Sequence, residues 1–302
     1  MRYSIIIPCY NASAFAGRAI ESALAQDRDD YEIIAIDDGS DDNTLEVLET
    51  YAFWHKERIR CLHQENRGPG AARNAGVKAA NGQYIYFLDA DDRMRSSTLN
   101  TFEGALTGYG SGLDYVYAGH YSVNSSGKVK ALCPSSGLVD NMRDFKRLIA
   151  GKGVSPTIGA VVVHRECFRK LSFPETLRCN EDVVLFGHLF ALCNGVAVAD
   201  PVVYKYKQPG SLRSDRQAID DAAETGPSVL FDPLILPPQY LRFKSLYAAG
   251  RCLEKARGHF KTREFREFRS AFRKAVRMHP AAVLRLRFWG RYIRSYVLFF
   301  KT

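Results

Sequence analysis

The chain reads as an α/β protein, a parallel doubly wound sheet followed by a basic helical appendage, and three observations predict this. Apolar runs alternate with helical periodicities at βαβ spacing through the first 92 residues. Those runs are continuous rather than alternating, as strands covered on both faces require. The charge is also divided. From Tyr240 to the end, 17 Lys and Arg face three Glu, a surplus of 14, whereas the first 239 residues carry 25 basic against 30 acidic residues.

In chain order, Tyr3-Ser-Ile-Ile-Ile-Pro8 is an apolar run closed by proline and predicts a first strand. Phe15, Ala19, Ile20, Ala23 and Leu24 then fall at helical spacing within residues 11–26. Glu32-Ile-Ile-Ala-Ile-Asp37 predicts a second strand, followed by a helix over about 41–51. A third strand at 59–63 leads through a glycine-rich turn into a helix from Pro69 to Ala80. A fourth, at 84–88, ends in acidic residues. Beyond Asp114 the pattern predicts short strands at 114–122, 128–133 and 158–163, with helices at 140–150 and 181–193. Residues 207–238, rich in Pro, Gly, Ser and Asp, read as a mobile loop and linker. The expected organisation is a catalytic domain over 1–212, with halves at 1–112 and 113–212, a linker at 213–238 and a basic helical tail at 239–302.

Composition narrows the class. A chain of 302 residues with 46% hydrophobic and 25% charged residues can bury a large core, so disorder is excluded as the default. Seven scattered cysteines, never spaced as CxxC, fit thiols in a reducing compartment better than disulfides or zinc. The run Ile5-Ile-Ile7 stops at Pro8, far short of a secretory h-region, so the expected location is the cytoplasm. The sequon at Asn124 carries no meaning there. The seven histidines show no ligand spacing.

In an open parallel sheet, ligands bind beyond the carboxyl ends of the strands. Those ends carry Pro8-Cys-Tyr10-Asn11, Asp37-Asp38-Gly-Ser40 and Asp89-Ala-Asp91-Asp92, an aromatic ring with several carboxylates. Asp37-Asp38-Gly-Ser is equally readable as a turn and helix cap. Asp89-Ala-Asp91 is sharper. Carboxylates after a buried strand are costly unless they pair or bind a cation, and Mg²⁺ or Mn²⁺ takes oxygen ligands together with substrate phosphates.

Four blocks then stand in order: Ser4-Ile-Ile-Ile-Pro-Cys-Tyr-Asn11, Ile36-Asp-Asp-Gly-Ser-Asp-Asp-Asn-Thr44, Asn66-Arg-Gly-Pro-Gly-Ala-Ala-Arg-Asn-Ala-Gly76 and Phe87-Leu-Asp-Ala-Asp-Asp92. Together they resemble the signature of family 2 glycosyltransferases, strongly over residues 1–92 and moderately to about 212. The resemblance implies a GT-A fold and an inverting, bacterial, surface-polysaccharide type of enzyme using Mn²⁺ or Mg²⁺. It places Tyr10 against the donor base with Pro8 and Asn11 shaping the pocket. Asp38 accepts the base N–H with Asp37 behind it, Asp89 meets the ribose side, and Asp91 binds the metal. Arg73 either lies near the donor or braces the strand ends through a carboxylate. Cys179-Asn-Glu181-Asp182 resembles the family's ED motif, which assigns Asp182 as the base that deprotonates the acceptor and Glu181 to the acceptor side; the alternative is a carboxylate complementing a helix dipole. Tyr204-Lys-Tyr-Lys207-Gln-Pro-Gly-Ser211 resembles the family's lid segment, but lysine replaces arginine and no histidine is available. Lys207 is the diphosphate candidate. Uridine is the family's commonest donor base, so a UDP-sugar is expected.

The tail adds a partner. Phe265, Phe268, Phe272 and Val276 fall at helical spacing among Arg266, Arg269, Arg273, Lys274 and Arg277. After Pro280, Leu284, Phe288, Trp289, Tyr292, Ile293, Tyr296, Val297 and Phe300 share one arc opposite Arg287, Arg291, Arg294 and Lys301, with Arg285 misplaced. Four arginines across 285–294 argue against a spanning helix. The pattern predicts an interfacial helix, residues 260–302 meeting anionic lipid on the inner face of the plasma membrane. Packing on the catalytic domain, a dimer contact or nucleic-acid binding are the alternatives. A membrane-side enzyme suggests a lipid-linked saccharide acceptor for polysaccharide or lipopolysaccharide synthesis. A sugar nucleotidyltransferase would carry a glycine-rich loop after the first strand, which Pro8-Cys-Tyr-Asn11 is not. A non-catalytic nucleic-acid-binding protein would leave the strand-end carboxylates without purpose, so no nucleic acid is expected.

Overall fold

The computed structural model describes residues 1–110, 112–153, 156–207, 215–283 and 286–299. Each buried run of the first 92 residues forms a strand. These are β1 (Tyr3–Cys9), β2 (Tyr31–Asp37), β3 (Ile59–His63) and β4 (Tyr84–Phe87), parallel in the order β3-β2-β1-β4. Tyr3 is level with both Tyr31 and Tyr84, so the carboxyl ends finish together. The crossovers are α1 (Ala16–Leu24), α2 (Thr44–Trp54) and α3 (Pro69–Ala79). Ile5, Ile7 and Ile33 face α1 and α2, whereas Ile6, Ile34 and Ile36 face α3, which is why these strands read as unbroken apolar runs. Gly76 lets α3 lie close on β1, since a Cβ there would sit 2.5 Å from Cγ2 of Ile6.

The second half comprises β5 (Arg93–Met94), α4 (Thr98–Gly108), β6 (Tyr115–Val123), β7 (Val129–Leu132), β8 (Gly137–Leu138), α5 (Asn141–Ile149), β9 (Val161–His164), α6 (Glu181–Leu192) and β10 (Gly195–Tyr206). The sheet continues from β4 as β9-β6-β10-β5. β9 runs antiparallel to both β4 and β6, whereas β6 and β10 are parallel. β10 and α4 add to the predicted elements. Asp200-Pro201 hides β10 from periodicity, because the strand takes up that break in two register shifts against β6.

The stretch expected as a loop and linker is different. Residues Arg216–Leu230 form α7, with the Asp215 side chain accepting from the Gln217 and Ala218 N–H groups at its start. Ala218, Ala222 and Leu230 are buried, and this packing overrides the Gly226-Pro227 break inside the helix. Residues 208–211 of the lid segment lie outside the described residues.

The tail also departs from expectation. It forms α8 (Pro238–Leu241), α9 (Lys244–Lys261), α10 (Phe265–Met278) and α11 (Leu286–Phe299). The aromatic face of α10 assigned to lipid is turned inward. Phe265, Phe268 and Phe272 are buried, the last two against Ala249, Cys252, Leu253 and Ala256 of α9, where the alanines and the cysteine make room for the rings. The Tyr292 ring of α11 lies 4.8 Å from that of Phe272, tilted by 30°. Trp289, Ile293 and Tyr296, spaced at one helical face, stay 42%, 63% and 42% exposed. Leu284, Arg285, Phe300 and Lys301 lie outside the described residues. Among the described residues no helix is long and apolar enough to cross a membrane. All seven cysteines are free thiols.

Arg216 ties α7 to the turn before α10 through Glu264, which also lies 2.8 Å from Nδ1 of His259. Arg216, then His259, hold the Glu264 carboxyl down at about 2, from an ordinary value of 4.5. A carboxylate depressed in the fold contributes its stability above the unfolded value, and loses it as pH falls through the folded one. Glu264→Gln is therefore expected to lower Tm at pH 7, and the gap to the parent should close between about pH 4.5 and 2. An acid series of thermal melts checks this; a gap independent of pH would contradict the clamp.

Candidate active site

The strand ends are organised first by their own hydrogen bonds. Asp38 is 3% exposed, and its oxygens accept from Gln64 Nε2 at 2.7 Å, the Arg67 N–H at 3.0 Å and the Gly68 N–H at 2.8 Å. It thus pins the glycine-rich loop onto the end of β2. Asp37, fully buried, takes His63 Nδ1 at 2.9 Å and the Ser40 N–H at 3.3 Å, and its Oδ1 has no protein partner. Gly39 turns the chain at φ +68°, where a Cβ would meet the Asn66 nitrogen at 2.6 Å. Asn11, at φ 47°, links the neighbouring loops: its N–H donates to Ser40 Oγ at 3.0 Å, and its Oδ1 accepts from the Asp41 N–H at 2.9 Å. Of the turn-and-cap reading of Asp37-Asp38-Gly-Ser40 the structure shows the turn, whereas α2 starts at Thr44 with Asn43, not this segment, at its N-cap. Tyr10 leaves β1 beside this frame, 49% exposed, and Pro8 is half-buried.

The acidic turn after β4 lies next to it. Carboxylate oxygens of Asp89, Asp91 and Asp92 come within 4.8 Å of one another. Such crowding needs cations, and a half-buried lysine and a buried arginine supply them. Lys205 Nζ, reaching from β10, lies 3.1 Å from Asp89 Oδ2 and 2.6 Å from Asp92 Oδ2. Arg73 from α3 lies 2.8 Å from Asp89 Oδ1 and 2.7 Å from Glu181 Oε1. Burial opposes both cations, but the carboxylates beside them outweigh it and hold both charged. Burial likewise opposes the Asp89 charge, yet Lys205 and Arg73 hold that carboxyl well below the ordinary range. Burial pushes the Asp92 carboxyl up, as it does Asp91, where the neighbouring Asp89 charge adds to it. Asp91 makes none of these ion pairs, so it is the member of the trio able to offer an oxygen to a divalent ion. Lys205 takes the space between the other two. A cation with one protein carboxylate and several outside oxygens, such as those of a diphosphate, fits this donor set.

Arg73 spans the two halves, joining the end of β4 to the start of α6, so the bracing alternative for this residue describes its contacts. Glu181 is 7% exposed, and its carboxyl is raised, by burial first and by Asp182 next. Asp182 sits half-buried in the first turn of the same helix, with its Oδ1 accepting from the Val183 N–H at 2.8 Å. Lys207 is exposed at the end of β10. Sequence reasoning left Lys205, Asp92 and Arg18 without a role. The Arg18 guanidinium lies 4.0 Å over the Tyr206 ring and also donates to the Asp91 carbonyl. The available signal was Lys205 itself, a charged residue in a strand beside the acidic turn, which calls for a counter-charge.

Comparison with known proteins agrees with this geometry. The model of glycosyl transferase family 2 matches residues 4–156. A glycosyltransferase of Rickettsia felis is 33% identical over 228 residues, 70% of this chain and 34% of the relative. The poly(ribitol-phosphate) beta-N-acetylglucosaminyltransferase TarS of Staphylococcus aureus is 26% identical over 211 residues, 68% of this chain and 35% of the relative. The chain thus spans about a third of the length of these curated relatives. Residues 1–349 of S. aureus TarS, solved with UDP-GlcNAc, superpose with a TM-score of 0.68 at 21% identity, covering 98% of this chain and 89% of that one. A mannosyltransferase of Pyrobaculum calidifontis, solved with GDP-Man and Mn²⁺, gives 0.58 at 18% identity, covering 98% and 80%. The fold is GT-A.

Proposed function

The chain belongs to glycosyl transferase family 2, and from that premise we propose that it transfers a sugar, with inversion, from a nucleotide diphosphate to a hydroxyl of a saccharide acceptor. The observation that carries this reading is the convergence of Asp38, the Asp89–Asp92 turn and Glu181-Asp182 at one end of the sheet, the turn braced by Lys205 and tied to Glu181 by Arg73. Tyr10 offers its exposed ring to the donor base, with Pro8 and Asn11 around it. Asp38 holds the glycine-rich loop that faces the nucleotide, Asp37 supports it, and Asp89 is held ionised on the ribose side. Asp182 accepts the acceptor's hydroxyl proton as that oxygen bonds to the anomeric carbon, and the carbon–phosphate oxygen bond breaks on the opposite face. Glu181 flanks the acceptor, and Lys207 meets the diphosphate. A divalent ion, Mn²⁺ or Mg²⁺, would neutralise the charge that develops on the leaving diphosphate, with Asp91 as its protein ligand.

UDP is the favoured donor nucleotide and a hexose or N-acetylhexosamine the favoured sugar, because TarS, named for N-acetylglucosaminyl transfer, was solved with UDP-GlcNAc. Calorimetry with UDP, GDP, CDP and dTDP, each with and without Mn²⁺, tests this. UDP should bind, more tightly with metal, and Asp91→Asn should remove most of the metal-dependent gain. Equal UDP affinity with and without Mn²⁺ in the parent would defeat the metal role.

The acceptor in this reading is lipid-linked and the enzyme sits peripherally on the cytoplasmic face of a bacterial membrane. The basis is the outer stripe of α11, where Trp289, Ile293 and Tyr296 are exposed on a strongly basic tail. Flotation with phosphatidylglycerol vesicles tests it. Ile293→Glu should weaken recovery with the lipid, and a parent chain that ignores anionic vesicles overturns the membrane assignment.

A further inference from the structure

Asn180 immediately precedes Glu181-Asp182 and holds φ 63° and ψ 17°, the left-handed region. For a residue with a side chain this costs energy, though asparagine tolerates it better than most. It stands at the N-cap of α6, where an asparagine oxygen ordinarily accepts an N–H from the first turn of the helix. Here no such bond forms. The Asn180 oxygen instead accepts from Arg251 of α9, at 3.1 Å.

Arg251 is itself held for that contact. Its side chain is 16% exposed, its guanidinium lies 5.2 Å from the centre of the Tyr247 ring, and Glu254 takes NH1 at 2.8 Å. Tyr247 is wholly buried one turn earlier on α9. Two elements far apart in the chain therefore meet at the residue that sets the entry angle of the helix bearing Asp182. The capping bond given up at Asn180 is replaced by one reaching in from the region read from sequence as a separable tail.

We propose that Arg251 is a positioning residue: through Asn180 it fixes the left-handed entry to α6 and thereby aims Asp182, so that α9 is part of the catalytic unit. This rests on the reading of Asp182 as the base. Arg251→Met removes the bond, and Asn180→Gly removes it while keeping the left-handed backbone accessible. Both variants should speed hydrogen exchange at the amides of residues 182–185 about tenfold, with the strands unchanged. Both should lower turnover of UDP-GlcNAc, followed as UDP release, by about 10- to 100-fold. UDP affinity and Tm should hold, Arg251→Lys should restore part of the loss, and the double variant should be no worse than the poorer single one. Unchanged exchange at 182–185 in both single variants, or losses that multiply in the double, overturns the proposal. So does a parallel collapse of Tm and UDP binding in Asn180→Gly, which also decides the matter if Arg251→Met does not fold. If exchange responds as described but Asp182→Asn still turns over donor, the base assignment fails while the α9–α6 link stands.

Discussion

Asp182→Asn is expected to reduce sugar transfer by about two to four orders of magnitude while leaving UDP affinity nearly intact. The amide is nearly isosteric but cannot take the acceptor's proton. The neighbouring carboxylate is a poor substitute, because Glu181 is 7% exposed and its Oε1 is committed to Arg73 at 2.7 Å. Asp182 is half-buried, and its Oδ1 accepts from the Val183 N–H at 2.8 Å. Steady-state turnover together with UDP calorimetry separates the two effects. Transfer within tenfold of the parent would remove Asp182 as the base, whereas loss of UDP binding would assign it to the donor side.

Arg73→Met should be the most destabilising single change at the site. It leaves buried Glu181 without its cation and half-buried Asp89 with Lys205 alone, and breaking a buried ion pair by removing one partner costs about 3–5 kcal/mol. For a chain of this size that corresponds to a fall in Tm on the order of 10 °C. The loss is not evidence that the network itself adds net stability, since the pairing mainly offsets the desolvation of its own members. Adding Glu181→Gln to Arg73→Met should accordingly recover part of the loss by neutralising one orphaned carboxylate. Thermal melts of the single and double variants check this. Additive losses in the double would mean that Arg73 acts through packing on Phe173, 5.2 Å below its guanidinium, rather than through charge.

The elements legible in the sequence were those whose environment imposes a simple pattern. β1, β2 and β4 are covered on both faces, so Ile5-Ile-Ile7, Ile33-Ile34 and Tyr84-Ile-Tyr-Phe87 could be nothing but apolar, and the carboxylates at their ends followed from position. Legibility failed where tertiary packing outvotes local chemistry. Gly226-Pro227 looks like a break, yet it lies in a helix whose buried Ala218, Ala222 and Leu230 hold it. Asp200-Pro201 looks like a turn, yet β10 carries both in a distorted register. The α10 ring face matches a lipid-facing helix as well as one packed on α9, because amphipathicity reports that a face is covered and not by what. Within the site, the acidic residues were visible from their spacing. The cations that make them tolerable come from β10 and α3, 113 and 16 residues away from their partners, and Arg251 lies 71 residues from Asn180. No local window holds such pairs.

The placement of β9 between β4 and β6 has a consequence for synthesis. When the first four strands have left the ribosome, the outer side of β4 presents unpaired backbone groups, and its eventual partner ends at His164, 77 residues after Phe87. At ordinary elongation rates that edge stands open for about 4–15 s. During that interval the acidic turn lacks Lys205, so the nascent chain carries a sticky strand border beside three carboxylates of which only Asp89 has its arginine, Arg73, already made. Mutual repulsion of those charges guards the border against pairing with another nascent copy until β9 arrives to close it.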